Sequence, residues 1–297
     1  MGLLNALPGA VAQGIIWGIM AIGVYITFRI LDFADLTVDG SVCTGAAVCA
    51  VLVTSGWNVY AAMLLSFAVG MLAGLLTGVF HTLMGIPAIL SGILTQLILW
   101  SVNLKIMGKS NIGLSARTYN VLVTQLKTNA TLIILAIASL LLIAVLYWFF
   151  GTEFGASVRA TGSNINMSRA QGINTGLTTV FALVISNGIV AFAGALLAQY
   201  QGAADINMGK GAIVIGLAAV IIGQALVSVF PKNFAIMLFG VIVGGIVYYV
   251  VYQTIIFLGL DTDLLKMLSA VVVAIFLAVP YWKKKYFSKP KNIKEAK

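Results

Sequence analysis

Long apolar stretches alternate with short polar ones along the whole chain. A helix needs about 20 apolar residues to cross a bilayer. By that measure the pattern predicts nine helical segments: residues 10–28, 42–54, 59–80, 87–102, 131–150, 177–200, 212–230, 234–258 and 264–281. The second is short and reads as either half-spanning or re-entrant. The expected fold class is all-α, a polytopic transmembrane helical bundle of about 8–10 membrane segments. Ser/Pro/Gly-rich linkers are absent, so residues 1–281 read as one transmembrane domain and 282–297 as a basic tail.

Composition agrees with the pattern. Of the 297 residues, 61% are hydrophobic and 8% charged, whereas soluble domains are about 45–50% apolar and about 25% charged. A water-soluble core cannot bury that excess, but lipid accepts helices that are apolar all round. The net charge of +9 arises largely from lysines between Lys283 and Lys297. A basic tail after an apolar span reads as a cytoplasmic anchor beside anionic lipid, so no nucleic-acid partner is expected. Lacking a basic stretch before the first span, the chain is not expected to carry a cleaved leader.

Lysine and arginine also set the expected orientation. With the tail in the cytoplasm, residues 151–176, carrying Arg159 and Arg169, lie inside, as does the Pro231–Lys232 turn. Residues 201–211 and 259–263 then lie outside. The loop 105–127, with Lys105, Lys109, Arg117 and Lys127, also falls outside despite its charge. The side of the N-terminus depends on whether 42–54 crosses. Glycines four residues apart, at Gly70, Gly74 and Gly78, Gly14 and Gly18, and Gly240 and Gly244, mark faces where helix backbones approach closely. Those faces read as internal packing, with a dimer interface or gate as the alternative.

Motifs for covalent chemistry are missing. Gly108-Lys109-Ser110 resembles the end of a phosphate-binding loop, but Asn103 stands where the first glycine belongs. His81 is the only histidine, and Cys43 and Cys49 have neither disulfide nor metal spacing, so no metal site is expected. Asp32, Asp35 and Asp39 form a polar turn beside the first span, explicable by capping and interface solvation or by function. Polar groups on spans, Gln96, Asn187, Gln199 and Gln224, could line a solute pathway or make interhelical hydrogen bonds, each worth about 0.6–2 kcal/mol.

The most informative stretch is residues 153–174. Phe154, Val158 and Thr161 share a helical face. Gly162 is expected to end that helix, Ser163 or Asn164 to cap a second, and Gly172 to end it. From periodicity alone this is either a compact knob for docking into a partner or an ordinary cytoplasmic loop.

The run Gly155-Ala-Ser-Val-Arg159-Ala-Thr-Gly162-Ser-Asn164, with Ser168-Arg169-Ala170-Gln171-Gly172-Ile173-Asn174, resembles the cytoplasmic coupling segment of ABC importer permeases for branched-chain amino acids and ribose-type sugars. The polar turn 31–41 is similar to one these permeases carry after the first span. The resemblance implies two permease copies, simplest as a homodimer, around a central pathway. Two cytoplasmic ATP-binding subunits would use the ATP and Mg, and an extracellular substrate-binding lipoprotein would dock outside. It implies a multi-pass protein of the bacterial cell membrane, with no ATPase site and no cofactor of its own. Val158, Arg159, Ala160, Thr161, Gly162, Ser163, Asn164 and Gly172 would form the coupling segment. Residues 35–41 and 103–111 look most like an amino-acid uptake subgroup, with tryptophan or tyrosine as leading substrates. An ion-coupled secondary transporter and a non-transporting membrane scaffold are the alternatives. The former would need a carboxylate within the membrane.

Overall fold

The computed structural model describes residues 3–227 and 233–257 and single positions between 267 and 278. The turn expected at Pro231 and Lys232, the loop 259–263 and the basic tail lie outside the described residues, as does nearly all of the last expected span.

Ten α-helices are described: α1 (Leu3–Tyr25), α2 (Val38–Thr54), α3 (Val59–Thr82), α4 (Ala88–Met107), α5 (Thr128–Gly151), α6 (Glu153–Ser163), α7 (Ile165–Ala170), α8 (Thr175–Gln201), α9 (Ala212–Val227) and α10 (Phe234–Phe257). Two three-residue strands, β1 (Asn111–Gly113) and β2 (Ala203–Asp205), pair antiparallel. Among the described residues six helices, α1, α3, α4, α5, α8 and α10, are long and apolar enough to cross a membrane. With α2 and α9, these reproduce eight of the nine expected segments to within a few residues at most ends. The largest difference is α1, which begins near Leu3 and continues through a wide π-helical turn, Ile26–Ile30.

Burial sorts the helices. α1 and α8 are enclosed over most of their length, whereas α5 and α4 are largely exposed. The exposed residues of α5 are apolar (Ile133, Ile137, Leu141, Trp148), as a lipid-facing surface requires. α8 is sheathed by α2 and α3, and α1 by α9 and α10.

Glycines set the contact distances. A Cβ on Gly74 would strike the Leu183 carbonyl of α8, and those on Gly70 and Gly78 would meet Asn187 and Val180. Gly14 and Gly18 lie against Ile246 and Ile242 of α10, and Gly244 against Ala219 of α9. All three glycine faces therefore pack within the chain. In an apolar solvent such close backbone approach replaces the hydrophobic effect as the source of helix association.

The β-ribbon settles the exceptional loop. Because Asn111 pairs with Asp205 and Gly113 with Ala203, the basic loop after α4 lies on the same side as the loop after α8. Gly108, left-handed at φ 66°, ends α4 there, so the partial phosphate-loop match is a helix cap. Tyr200 Oη donates to the Gly9 carbonyl at 3.0 Å, which puts the start of α1 on the ribbon side too.

Two outcomes follow. Gly74→Leu should destabilise the detergent-solubilised protein by about 1–3 kcal/mol through overpacking, read as a lower melting temperature, while Leu72→Ala on the exposed face should have little effect. With the ribbon side outward, Lys109→Cys should react with an impermeant maleimide on intact cells and Asn166→Cys only after lysis; the inverse pattern would reverse the orientation.

Candidate functional site: the coupling knob and the polar seam

The chain leaves α5 at Thr152, whose side chain accepts the Gly155 N–H at 3.3 Å and caps α6. Asn164 caps α7 by accepting the Met167 N–H at 3.0 Å, and Asn174 caps α8 by accepting from Leu177 at 3.1 Å. Gly172, at φ 81°, makes the turn between α7 and α8. Two short helices thus form a knob at the end of the bundle opposite the ribbon. Of the two expected caps for α7, Asn164 is the one used. Gly162 does not end α6, which runs to Ser163. It lies in the last turn because a Cβ there would collide with the Ile30 carbonyl.

The knob has an anchored and a free face. Val158 and Thr161 are buried, and the Thr161 and Thr178 hydroxyls lie 2.9 Å apart, tying α6 to α8. Arg159 donates from Nη2 to the Phe150 carbonyl at 2.9 Å, bracing α5. Arg169 donates from Nε to Thr175 Oγ1 at 3.0 Å. Ala160 is half-buried, whereas Ser163, Asn164 and Gly172 are exposed. Beside them Ile165 is 43% and Met167 61% exposed. These two apolar tips are missing from the sequence-derived set. Their signal was two large apolar residues alternating with polar ones in a polar turn.

The second feature is the polar seam of residues 31–37. Expected beside the first span, it instead lies within the bundle. Only its first part is peripheral: Asp32 is exposed and reverses the chain at φ 56°, a conformation aspartate tolerates. Asp35 is 2% exposed. Its Oδ2 accepts from Asn187 Nδ2 at 2.7 Å and its Oδ1 from the Thr37 N–H at 2.9 Å. Asn187 Oδ1 in turn accepts from Ser41 at 2.6 Å. Thr37, Thr77 and Thr95 continue as a hydroxyl chain with spacings of 2.7 and 2.9 Å, reaching α3 and α4. Since Asn187 is at the midpoint of α8, α2 starts at mid-bundle and rises to the ribbon side. The extended segment and α2 together make one crossing. The segment 42–54 is thus the ribbon-side part of a half-spanning helix.

Asp39 has another role. Its oxygens accept the Gly211 and Ile213 N–H groups at 2.9 and 3.0 Å, capping α9 from across the bundle. Between α2, α4 and the 206–210 turn lies a cavity of about 270 Å³, lined by Asp39, Cys43, Gln96, Trp100, Asn103 and Lys210 among others. Neither side-chain amide atom of Asn103 has a partner, though both are buried. An unpaired buried polar group costs about 1–3 kcal/mol. Of the four pathway candidates, Gln96 lines this cavity and Asn187 is consumed by the seam. Gln199 accepts from the Leu122 N–H at 3.0 Å and borders a ribbon-side cavity of about 290 Å³, and Gln224 is half-buried on α9. Cys43 and Cys49 are free thiols packed in the bundle.

The family model described as "Branched-chain amino acid transport system / permease component" matches residues 7–279. The chain belongs to this family of ABC importer permeases. It is 37% identical over 276 residues, 93% of its length and 91% of the relative's, to a tyrosine transport system permease protein of Clostridioides difficile. It is 32% identical over 277 residues (93% and 98%) to an uncharacterized protein of Rickettsia prowazekii. The autoinducer 2 import system permease protein of Yersinia pseudotuberculosis is 31% identical over 197 residues, 63% of this chain and 54% of that one. No solved structure matches significantly. This permease is a multi-pass protein of the bacterial inner membrane and the transport component of its system.

Asp35 is the permease's central tie. Asp35→Ala removes the side-chain acceptor of the Thr37 N–H and one of the two acceptors of Asn187 Nδ2, leaving it the Leu183 carbonyl, and should cost about 1–3 kcal/mol in thermal unfolding of the solubilised permease. Asp32→Asn, at an exposed site and equally tolerant of the left-handed backbone, should change stability by no more than about 0.5 kcal/mol.

Proposed function

We propose that this permease imports an amino acid, with an aromatic one such as tyrosine as leading substrate, by alternating access powered by separate ATP-binding subunits. What carries the reading is the knob: α7 leaves Ile165 and Met167 exposed, while α6 is fastened to α1, α5 and α8. Apolar anchors standing on a polar surface suit insertion into a groove on a partner. Force applied to α7 passes through the Thr161–Thr178 contact and the Gly162–Ile30 contact into the two most enclosed helices. The substrate class is supported by the identity to the tyrosine transport permease over nearly the whole of both chains.

In this reading the ATP-binding subunits bind ATP and Mg, and a substrate-binding lipoprotein delivers solute on the ribbon side. Two copies of the chain enclose the pathway. The permease itself performs no covalent chemistry. Asp35, the carboxyl enclosed in the seam, would suit an ion-coupled carrier, but at 2% exposure it is closed off from solvent, with its oxygens held by the Thr37 N–H and the Asn187 side chain.

Reconstituted with an ATP-binding subunit and a binding protein, the chain should take up tyrosine only when ATP is present. Ile165→Glu with Met167→Glu should cut recovery of the ATP-binding subunit at least tenfold, while the melting temperature of the permease alone stays near wild type. Uptake by the chain alone under an ion gradient would overturn the proposal.

A further inference from the structure

The cavity between α2, α4 and the 206–210 turn joins a carboxylate that the fold uses, Asp39, to two polar side chains with no hydrogen-bond partner among the described residues, Lys210 and Asn103. It is lined by one acidic and one basic side chain, Asp39 from α2 and Lys210 from the 206–210 turn. Asp39 is engaged by backbone amides of α9 and not by Lys210. Lys210 is exposed on the turn that leads from β2 into α9. Asn103 lines the same cavity with a donor and an acceptor both unpaired, and buried polar groups left so ordinarily find a ligand or water. On α4 the apolar side chains of Leu97 and Trp100, 63% and 46% exposed, stand one turn apart beside these groups.

A ligand complementary to this set carries a positive and a negative charge close together and has an apolar side arm. We propose that the cavity is a solute subsite recognising the ammonium and carboxylate of a free α-amino acid. Asp39 faces the ammonium, Lys210 the carboxylate, and Trp100 with Leu97 the side chain. Asn103 has a spare bond for either charged end. A neutral sugar would leave both charges unanswered. The volume, about 270 Å³, is below the range of about 300–1,000 Å³ typical of drug-sized ligands, in keeping with a single amino acid. The place is also apt: α4 rises from the knob side to the ribbon, and the 206–210 turn descends from the ribbon. The cavity therefore sits in the ribbon-side half of the bundle, where a solute released from outside arrives first.

This inference rests on the amino-acid import reading, and its test separates the two. Full-length permease in lipid nanodiscs is titrated with radiolabelled L-tyrosine. Tyramine, lacking the carboxylate, and 3-(4-hydroxyphenyl)propionate, lacking the ammonium, are the competitors. Saturable binding is expected, with each analogue at least tenfold weaker than tyrosine. Lys210→Gln should erase the advantage of tyrosine over tyramine, and Asp39→Asn its advantage over the acid. Asp39 also caps α9, so its variant is read only at unchanged melting temperature; Lys210 is exposed and carries the test independently. Equal competition by the analogues, unchanged ratios in Lys210→Gln, or no saturable binding up to about 10 mM would overturn the subsite. ATP-dependent tyrosine uptake by the wild-type complex, measured in parallel, would then still stand for the import reading. Failure of that uptake for every amino acid tried would overturn the import reading itself.

Discussion

A backbone that leaves its helix inside an apolar slab must find every hydrogen-bond partner within the protein. Residues 31–37 are where this permease meets that constraint. The π-helical turn closes with the Leu31 and Phe33 N–H groups donating to Ile26 and Thr27. Asp35 turns back to hold the Thr37 N–H, and Asn187 crosses from α8 to hold Asp35. These bonds anchor the segment from which α2 begins at mid-bundle, and α2 in turn supplies Asp39 to start α9. Two short helices thus depend on one irregular segment and two aspartates.

Much of this was legible in the sequence because spans are set by a single quantity, the length of an apolar run. Helix ends on the knob were legible too, since Asn164, Gly172 and Asn174 act on their own neighbours. What stayed hidden depends on residues far apart in the chain. Asp35 and Asn187 are 152 positions apart, and nothing near either one announces the other. The polar run 31–41 looked like an interface turn because burial of a carboxyl cannot be read without its donor. Gly162 was misread for the same reason: its requirement comes from the Ile30 carbonyl in another element, not from the end of its own helix. The three-residue strands are too short for periodicity to signal, and only their pairing fixes the side of the basic loop.

The glycine faces and the knob form one mechanical argument. Helices held by backbone-to-backbone contact have few adaptable side chains between them, so α3 with α8, and α1 with α10, resist independent sliding. A push on α7 is consequently not absorbed locally. It enters α8 at Thr178 and α1 at Ile30, the two helices with the most neighbours to carry along. Helices α4 and α5 are less constrained, because most of their surface is exposed and not packed against the rest of the chain.

This division of stiffness bears on where a solute can pass. A rigid core of α1 and α8 offers no space: their facing residues are small or interlocked, and the polar atoms of Ser186 and Asn187 are already paired. Among the described residues the core keeps one unpaired buried group, the Trp17 indole N–H on α1, while both amide atoms of Asn103 are unpaired on the loosely held α4, beside the cavity carrying Asp39 and Lys210. One wall of that cavity belongs to α2, which the seam ties to α8, and another to α4, which meets the seam through Thr95 and Thr77. Both walls are therefore joined to one seam, and through α8 to the knob, by a continuous set of bonds.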